Sequence, residues 1–215
     1  NLGDVNVKEF GKQGDYLIKI EQKTENNNKL IPEIKQSLVK KLNAEINFRR
    51  VEKSDLKTLQ KWRNSNEIWQ FNTQFTLLNM INQKQWYEQN SQKISDRIMF
   101  IITNKIGKSI GICGLINMNS KDHSASVAII IGEKKHHNQG FGQEILKLLL
   151  NYGFTKLKLH RIESEVFEYN ENSLHLFKKM NFKQEVVLRD SLWRKNRWWS
   201  IHKFSLIHNE FKSDF

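Results

Sequence analysis

The segment richest in chemistry runs Ile129-Ile130-Ile131-Gly132, then His137-Asn138-Gln139-Gly140-Phe141-Gly142-Gln143-Glu144, then an apolar helical pattern. Glycines in a turn let a backbone approach a ligand closely, and the first N–H groups of the helix that follows have no internal partners. A strand, turn and helix start of this kind suits a pyrophosphate. A plain tight turn would use the same glycines, so the segment alone leaves both readings open. Two nucleotide motifs are excluded by spacing. A dinucleotide fingerprint needs a third glycine where Ile145 stands, and a P-loop ending Gly107-Lys108-Ser109 would need glycine at Ile102.

Other residues have weaker claims. His136 and His137 are adjacent, so their side chains point apart, and no Cys or carboxylate sits at ligand spacing; no metal site is expected. The run Trp193, Arg194, Lys195, Arg197, Trp198 and Trp199 interleaves bases and aromatics as single-strand nucleic-acid binders do, but a hairpin with tryptophans alternating into the core explains it better. Nucleic acid is not the expected partner.

These residues need elements to hold them. Ile46 to Val51 reads as a strand, followed by a helix capped by Ser54 with Leu56, Leu59 and Trp62 on one face. A second helix is expected over Asn82–Gln92. Arg97–Thr103 and Ser109–Met118 form a hairpin around Asn104–Gly107, and Ala125–Ile131 adds a strand. The helix after the glycines is expected from Gln143 to about Lys156, buried through Ile145, Leu148, Leu149 and Tyr152 and widened by Leu146, Leu150 and Phe154. Arg161–Phe167 is a strand, Glu171–Met180 a helix, and Phe182–Leu192 and Trp198–Ile207 two closing strands. The result is an α/β fold with a mostly antiparallel sheet.

The 215 residues leave room for one core and a small appendage: residues 1–45 as a strand-helix piece or linker, and 46–215 as the main domain. Lys and Arg number 35 against 23 Asp and Glu, a formal charge of +12 that favours anionic ligands. The single cysteine, Cys113, excludes a disulfide framework and reads as a small core residue. No apolar run is long enough to span a bilayer, and Asn1 to Asp15 is too polar for a signal peptide; a soluble, cytoplasmic protein is the expectation. The chain opens on Asn1, which leaves its true start undefined.

Taken together, IGEKKHHNQGFGQE, HRIESEVFEYNENSLHLFKKMNF, KQEVVLR and NRWWSIHKFSLI resemble the GNAT-type N-acetyltransferase superfamily, in the branch holding ribosomal-protein alanine, spermidine and amino-sugar-nucleotide N-acetyltransferases. The likeness covers roughly residues 46 to 210. It implies a twisted sheet of about seven strands flanked by helices, with acetyl-CoA in the V between two splayed central strands. The pantetheine would pair with Ile129, Ile130 and Ile131. The pyrophosphate would rest on the N–H groups of His137, Asn138, Gln139, Gly140, Phe141, Gly142 and Gln143. Asn170, Ser173 and the Phe177 position would meet the cofactor from the other side, and a backbone N–H near Ile130 or Ile131 would polarise the thioester carbonyl. A neutral amine would attack directly, without a covalent enzyme intermediate.

The departures are equally informative. Phe177 stands where the family usually has the tyrosine that protonates the leaving thiolate, and Ser126 where a glutamate often helps deprotonate the amine. Asn138 and Asn181 replace usual glycines, a mild change because Asn tolerates positive φ, and Ser200 replaces an aspartate. Glu165, Tyr169 and His175 are the substitute catalytic candidates, with His123 and Glu133 also available. Trp62-Arg63-Asn64 is similar to a signature of the amino-sugar-nucleotide enzymes, making Arg63 and Asn64 candidate acceptor ligands, although a helix end with Trp62 in the core would read the same. The expected acceptor is a small-molecule primary amine, such as an amino-sugar nucleotide; a peptide N-terminus, a polyamine, and a weakened acetyl-CoA- or nucleic-acid-binding relative are the alternatives. A homodimer is compatible with the sequence but not specified by it.

Overall fold

In the computed structural model the described residues are 46–73, 75–90 and 96–212. The expected N-terminal appendage, 1–45, lies outside them. The strands are β1 (Ile46–Arg50), β2 (Ile98–Asn104), β3 (Ser109–Asn119), β4 (Ser124–Ile131), β5 (Arg161–Phe167), β6 (Lys183–Arg194) and β7 (Arg197–Ile207). The helices are α1 (Leu56–Arg63), α2 (Asn66–Trp69), α3 (Met80–Asn90), α4 (Phe141–Asn151) and α5 (Glu171–Lys179). One seven-stranded sheet has the order β1-β2-β3-β4-β5-β7-β6. Every pairing is antiparallel except β4 with β5.

Both faces of the central strands are covered, which is why Val127 to Ile131 in β4 reads as an unbroken apolar run rather than an alternation. Ile129 and Ile131 turn to α4, packing with Phe141, Ile145 and Leu149, while Ile130 turns to α1, packing with Leu59 and Trp62. A larger cluster under α4 and α5 joins Leu146, Leu150 and Phe154 to Ile162, Val166, Phe177 and Phe204. Cys113 is fully buried, and burial pushes its thiol far above its ordinary range, so it is an inert core residue.

Three local expectations need correction. Ser54 does not cap α1: a 3-10 turn over Lys53–Asp55 precedes the helix, and the Asp55 carboxylate accepts from the Glu52 N–H at 2.9 Å and from the Arg49 guanidinium at 2.7 and 2.8 Å. α4 starts at Phe141, two residues early, so Gly142 lies in the helix and only Gly140, at φ 88°, belongs to the turn. Leu148 is 42% exposed, because the buried stripe is Phe141, Ile145 and Leu149 with Leu146 and Leu150; the helix then ends in a π turn, Tyr152–Lys156.

Among the described residues the sheet ends at β6, a 12-residue strand bonded only to β7, with register shifts between Gln184 and Val186 and between Leu188 and Leu192. Its tip is a two-residue turn, Lys195-Asn196, with φ of 51° and 57°.

Candidate active site

β4 and β5 share only three residue pairs, Ser124–Arg161, Ala125–Ile162 and Ser126–Glu163. Beyond Ser126 the strands part, leaving a V whose sides are β4 to Ile131 and β5 to Phe167. The β3 register decides which backbone groups face the gap. Gly132 N–H donates to Ile110 O at 2.8 Å, so by antiparallel alternation Ile130 is bonded to Ile112 and the amides of Val127, Ile129 and Ile131 point away from β3, into the V. Of the two residues expected to polarise a carbonyl, Ile130 has its N–H committed to β3 and Ile131 keeps its N–H toward the V.

The turn after β4 forms an amide cradle. His136 and His137 N–H groups close a 3-10 turn onto Glu133 and Lys134, and Gln143 N–H returns to Gly140 O at 3.0 Å. Those of Asn138, Gln139, Gly140, Phe141 and Gly142 have no partner among the described residues. The expected cradle therefore narrows at both ends, losing the His137 and Gln143 amides. Asn138, at φ 57°, and Gly140 bend this loop, and a Cβ on Gly140 would project into open space with nothing within 4 Å. The His137 Nε2–H donates to Ile131 O at 2.9 Å, pinning the loop to the strand and fixing that tautomer, since a carbonyl can only accept. Five amides at a helix start beside an open strand edge fit an anionic diphosphate with an extended amide-bearing arm, as CoA has.

The other side of the V is built by β5 and α5. Asn170 caps α5, its Oδ1 accepting from Ser173 N–H at 3.3 Å, so both residues first serve the helix start. Phe177 is buried against Phe182 and Phe204, with ring centroids 5.0 and 5.9 Å away. Its ring fills core space and has no proton to give. His175 is exposed, between Leu174 and Leu176, which pack against the core. Glu165 is 56% exposed and ion-paired with Lys203 at 2.8 Å. His123 lies in the β3–β4 turn, where the V is closed, and Glu133 is held below the usual carboxylate range chiefly by its hydrogen bond from Lys135.

Sequence reasoning missed Glu163. It pairs directly with Ser126 at the vertex, on the sheet face turned away from α4 and α5, and it bonds Arg161, which also grips Glu185. A carboxylate thus stands one strand across from the position where Ser126 lacks one. In parallel strands directly paired residues share a face, but without the register nothing in the sequence singles Glu163 out over Glu165.

On that same face an aromatic wall bridges the mouth of the V. The Tyr169 hydroxyl, beyond the end of β5, donates to Gln70 O at 2.6 Å, and its ring contacts Phe71, Phe167 and Trp199. Burial raises the Tyr169 pKa, so the hydroxyl stays protonated. The Arg194 guanidinium lies 4.3 Å from the Phe75 ring centre, and Lys195 Nζ bonds Gln70 Oε1 at 2.7 Å. Gln70, Phe71 and Phe75 carry no motif that marked them; only the fold brings them to Tyr169. The Trp62-Arg63-Asn64 reading fares differently. Trp62 is core, packed so tightly on Gly132 that a Cβ there would collide with the indole. Asn64 is engaged by Leu78, donating to its O at 2.8 Å and accepting from its N–H at 2.9 Å. Arg63 is half-buried, and that burial lowers its pKa. Among the described residues no three His, Cys, Asp or Glu gather as a metal site, and no helix is long and apolar enough to cross a membrane.

Comparison with known proteins agrees with this geometry. The chain is 23% identical over 170 residues to the spermidine N(1)-acetyltransferase of Vibrio cholerae, covering 79% of this chain and 97% of that one. It is 33% identical over 111 residues to the uncharacterised N-acetyltransferase p20 of Bacillus licheniformis, covering 52% of this chain and 62% of that one. The crystal structure of the Vibrio cholerae spermidine enzyme with CoA and spermine superposes with a TM-score of 0.73 at 23% identity, over 78% of this chain and 98% of that one. Residues 45–183 match the acetyltransferase (GNAT) domain model. The chain belongs to the GNAT acetyltransferase family, enzymes that draw acetyl groups from acetyl-CoA.

Proposed function

We propose that this chain transfers acetyl from acetyl-CoA to a primary amine, with a polyamine as the acceptor class. The observation that carries the reading is the three-pair β4–β5 contact opening into a V that ends at five free amides. Bound there, acetyl-CoA supplies a thioester carbonyl open to attack by an amine. The chain's own residues do the rest. The β4 edge at Val127, Ile129 and Ile131 aligns the arm, and an N–H from that edge donates to the carbonyl oxygen as charge develops. Glu163 is placed to draw the amine proton through water, in the place Ser126 leaves vacant. Phe177 gives no proton to the departing thiolate, which leaves as the anion or takes one from solvent; positioning is the main source of rate.

The polyamine reading is supported by the match along nearly the whole spermidine enzyme. The amino-sugar-nucleotide reading loses Asn64 to Leu78. Two measurements test the proposal. Acetyl-CoA should raise the melting temperature, and release of the CoA thiol should follow addition of spermidine or spermine more than of an amino-sugar nucleotide or a peptide. No thermal shift would refute the cofactor site; a shift without thiol release from any amine would refute catalysis.

A further inference from the structure

The aromatic wall at the mouth of the V is already occupied by cations, and they belong to the chain itself. Arg194 lies over the Phe75 ring at 4.3 Å, with Nη2 3.5 Å from Thr73 O. Lys195 lies over the Tyr169 ring, 5.5 Å from its centre, and donates to Gln70 Oε1 at 2.7 Å. Two aromatic faces and three oxygens that can only accept, counting Gln70 O, which the Tyr169 hydroxyl also uses, make a lining suited to ammonium groups. Among the described residues neither Arg194 nor Lys195 has a carboxylate partner, so aromatic faces and neutral oxygens alone hold them.

The backbone supplies an independent sign. Lys195 is the first central residue of the two-residue β6–β7 turn, at φ 51°, a position that Asn or Gly fills at little cost and Lys does not. A strained turn residue whose side chain reaches the candidate site points to a role for that side chain.

We propose that Phe75, Tyr169, Gln70 and Thr73 form an ammonium box for the acceptor, and that Lys195 and Arg194 are its resident competitors, which an incoming polyamine displaces. This rests on the amine-acetyltransferase reading and adds which residues select the acceptor and why weakly cationic amines are turned away. Only a ligand with ammonium groups of its own replaces the two side chains one for one, since an uncharged or anionic molecule leaves them in place.

Lys195→Gly is the test, because it vacates the Tyr169 face and Gln70 Oε1, leaves Arg194 on Phe75, and eases the turn, so loss of folding does not confuse the result. The KM for spermidine should fall roughly fivefold, the size of one cation–aromatic contact, while the KM for acetyl-CoA stays constant. Lys195→Arg keeps a cation in the box and should match the parent. Salt separates occupancy from general repulsion: the gain should persist at about 0.5 M salt, where charges beyond a few ångströms are screened. Adding Tyr169→Leu to the glycine variant should reverse part of the gain, since Tyr169 is the face that Lys195 vacates. An unchanged or higher KM, a gain that vanishes in salt, or a gain indifferent to Tyr169 would each overturn the box. Calorimetric binding of spermidine to the CoA-loaded protein reads the same shift without turnover. A shift in affinity with no thiol release would therefore sink the catalytic reading and leave the box standing.

Discussion

The two sides of the V are made of different material. The cradle side is backbone: five amides, one glycine with positive φ and a histidine pinning the loop. The acceptor side is side chain: Tyr169, Phe71, Phe75, Trp199, Arg194 and Lys195, drawn from three separate stretches of sequence. A backbone site tolerates change in side chains and fails only where something blocks it. A side-chain site can be retuned one residue at a time, which is how one fold serves many acceptors.

The joint between the two sides should give the largest effect. Gly132→Ala forces a methyl into the Trp62 indole, which is itself 5% exposed and cannot withdraw. The expected cost is roughly 3 kcal/mol of stability, read by urea denaturation. If the loss stayed under about 1 kcal/mol, the contact would be softer than its geometry implies. Next is the cradle: Gly140→Val leaves the core alone but sets a branched side chain at φ 88°, a conformation it resists, and so distorts the loop that presents the amides. The acetyl-CoA dissociation constant should rise about a hundredfold, ~2.7 kcal/mol, and titration calorimetry showing parent affinity would move the diphosphate elsewhere.

On the acceptor half, Asp55 anchors the entry to α1. Burial pushes its carboxyl up, but hydrogen bonds from Arg49 and the Glu52 N–H and the Arg49 charge outweigh that and hold it below the ordinary range. A depressed folded pKa adds stability above the unfolded value, about pH 4, and that stability is lost as pH falls through the folded value. Asp55→Asn should cost ~2 kcal/mol at neutral pH, and the gap from the parent should close below about pH 4. A gap constant down to pH 2 would mean the charge is irrelevant. The smallest effects compare the two strained turns. Lys195→Gly should stabilise by about 1 kcal/mol and Asn138→Gly by less than half as much, because Asn accepts positive φ more readily. Equal gains would remove the backbone argument for Lys195.

The same contrast explains what the sequence disclosed. Gly140, Asn138 and the apolar run of β4 sit close together in the chain, so spacing alone exposed the strand, turn and helix start. Boundaries slipped where side-chain bonds overrode propensity: Asp55 rather than Ser54 organises the start of α1. Glu163 became visible only through the register that sets it across from Ser126, and Gln70 and Phe75 only through contacts with residues 99 and more than 100 positions away. Asn64 looked like a ligand because an amide that fastens two backbone groups has the same letter as one that binds substrate.

β6 raises a separate matter of solubility. A 12-residue edge strand carrying the exposed Val186, Val187 and Leu188 would ordinarily be a template for another chain to pair along. Its two register shifts break the run of evenly spaced backbone groups on either side of that apolar triplet, and Lys183, Glu185, Arg189 and Asp190 flank it with charge. Along this edge no stretch is both evenly bonded and uncharged for long, which makes β6 a poor template for a further strand.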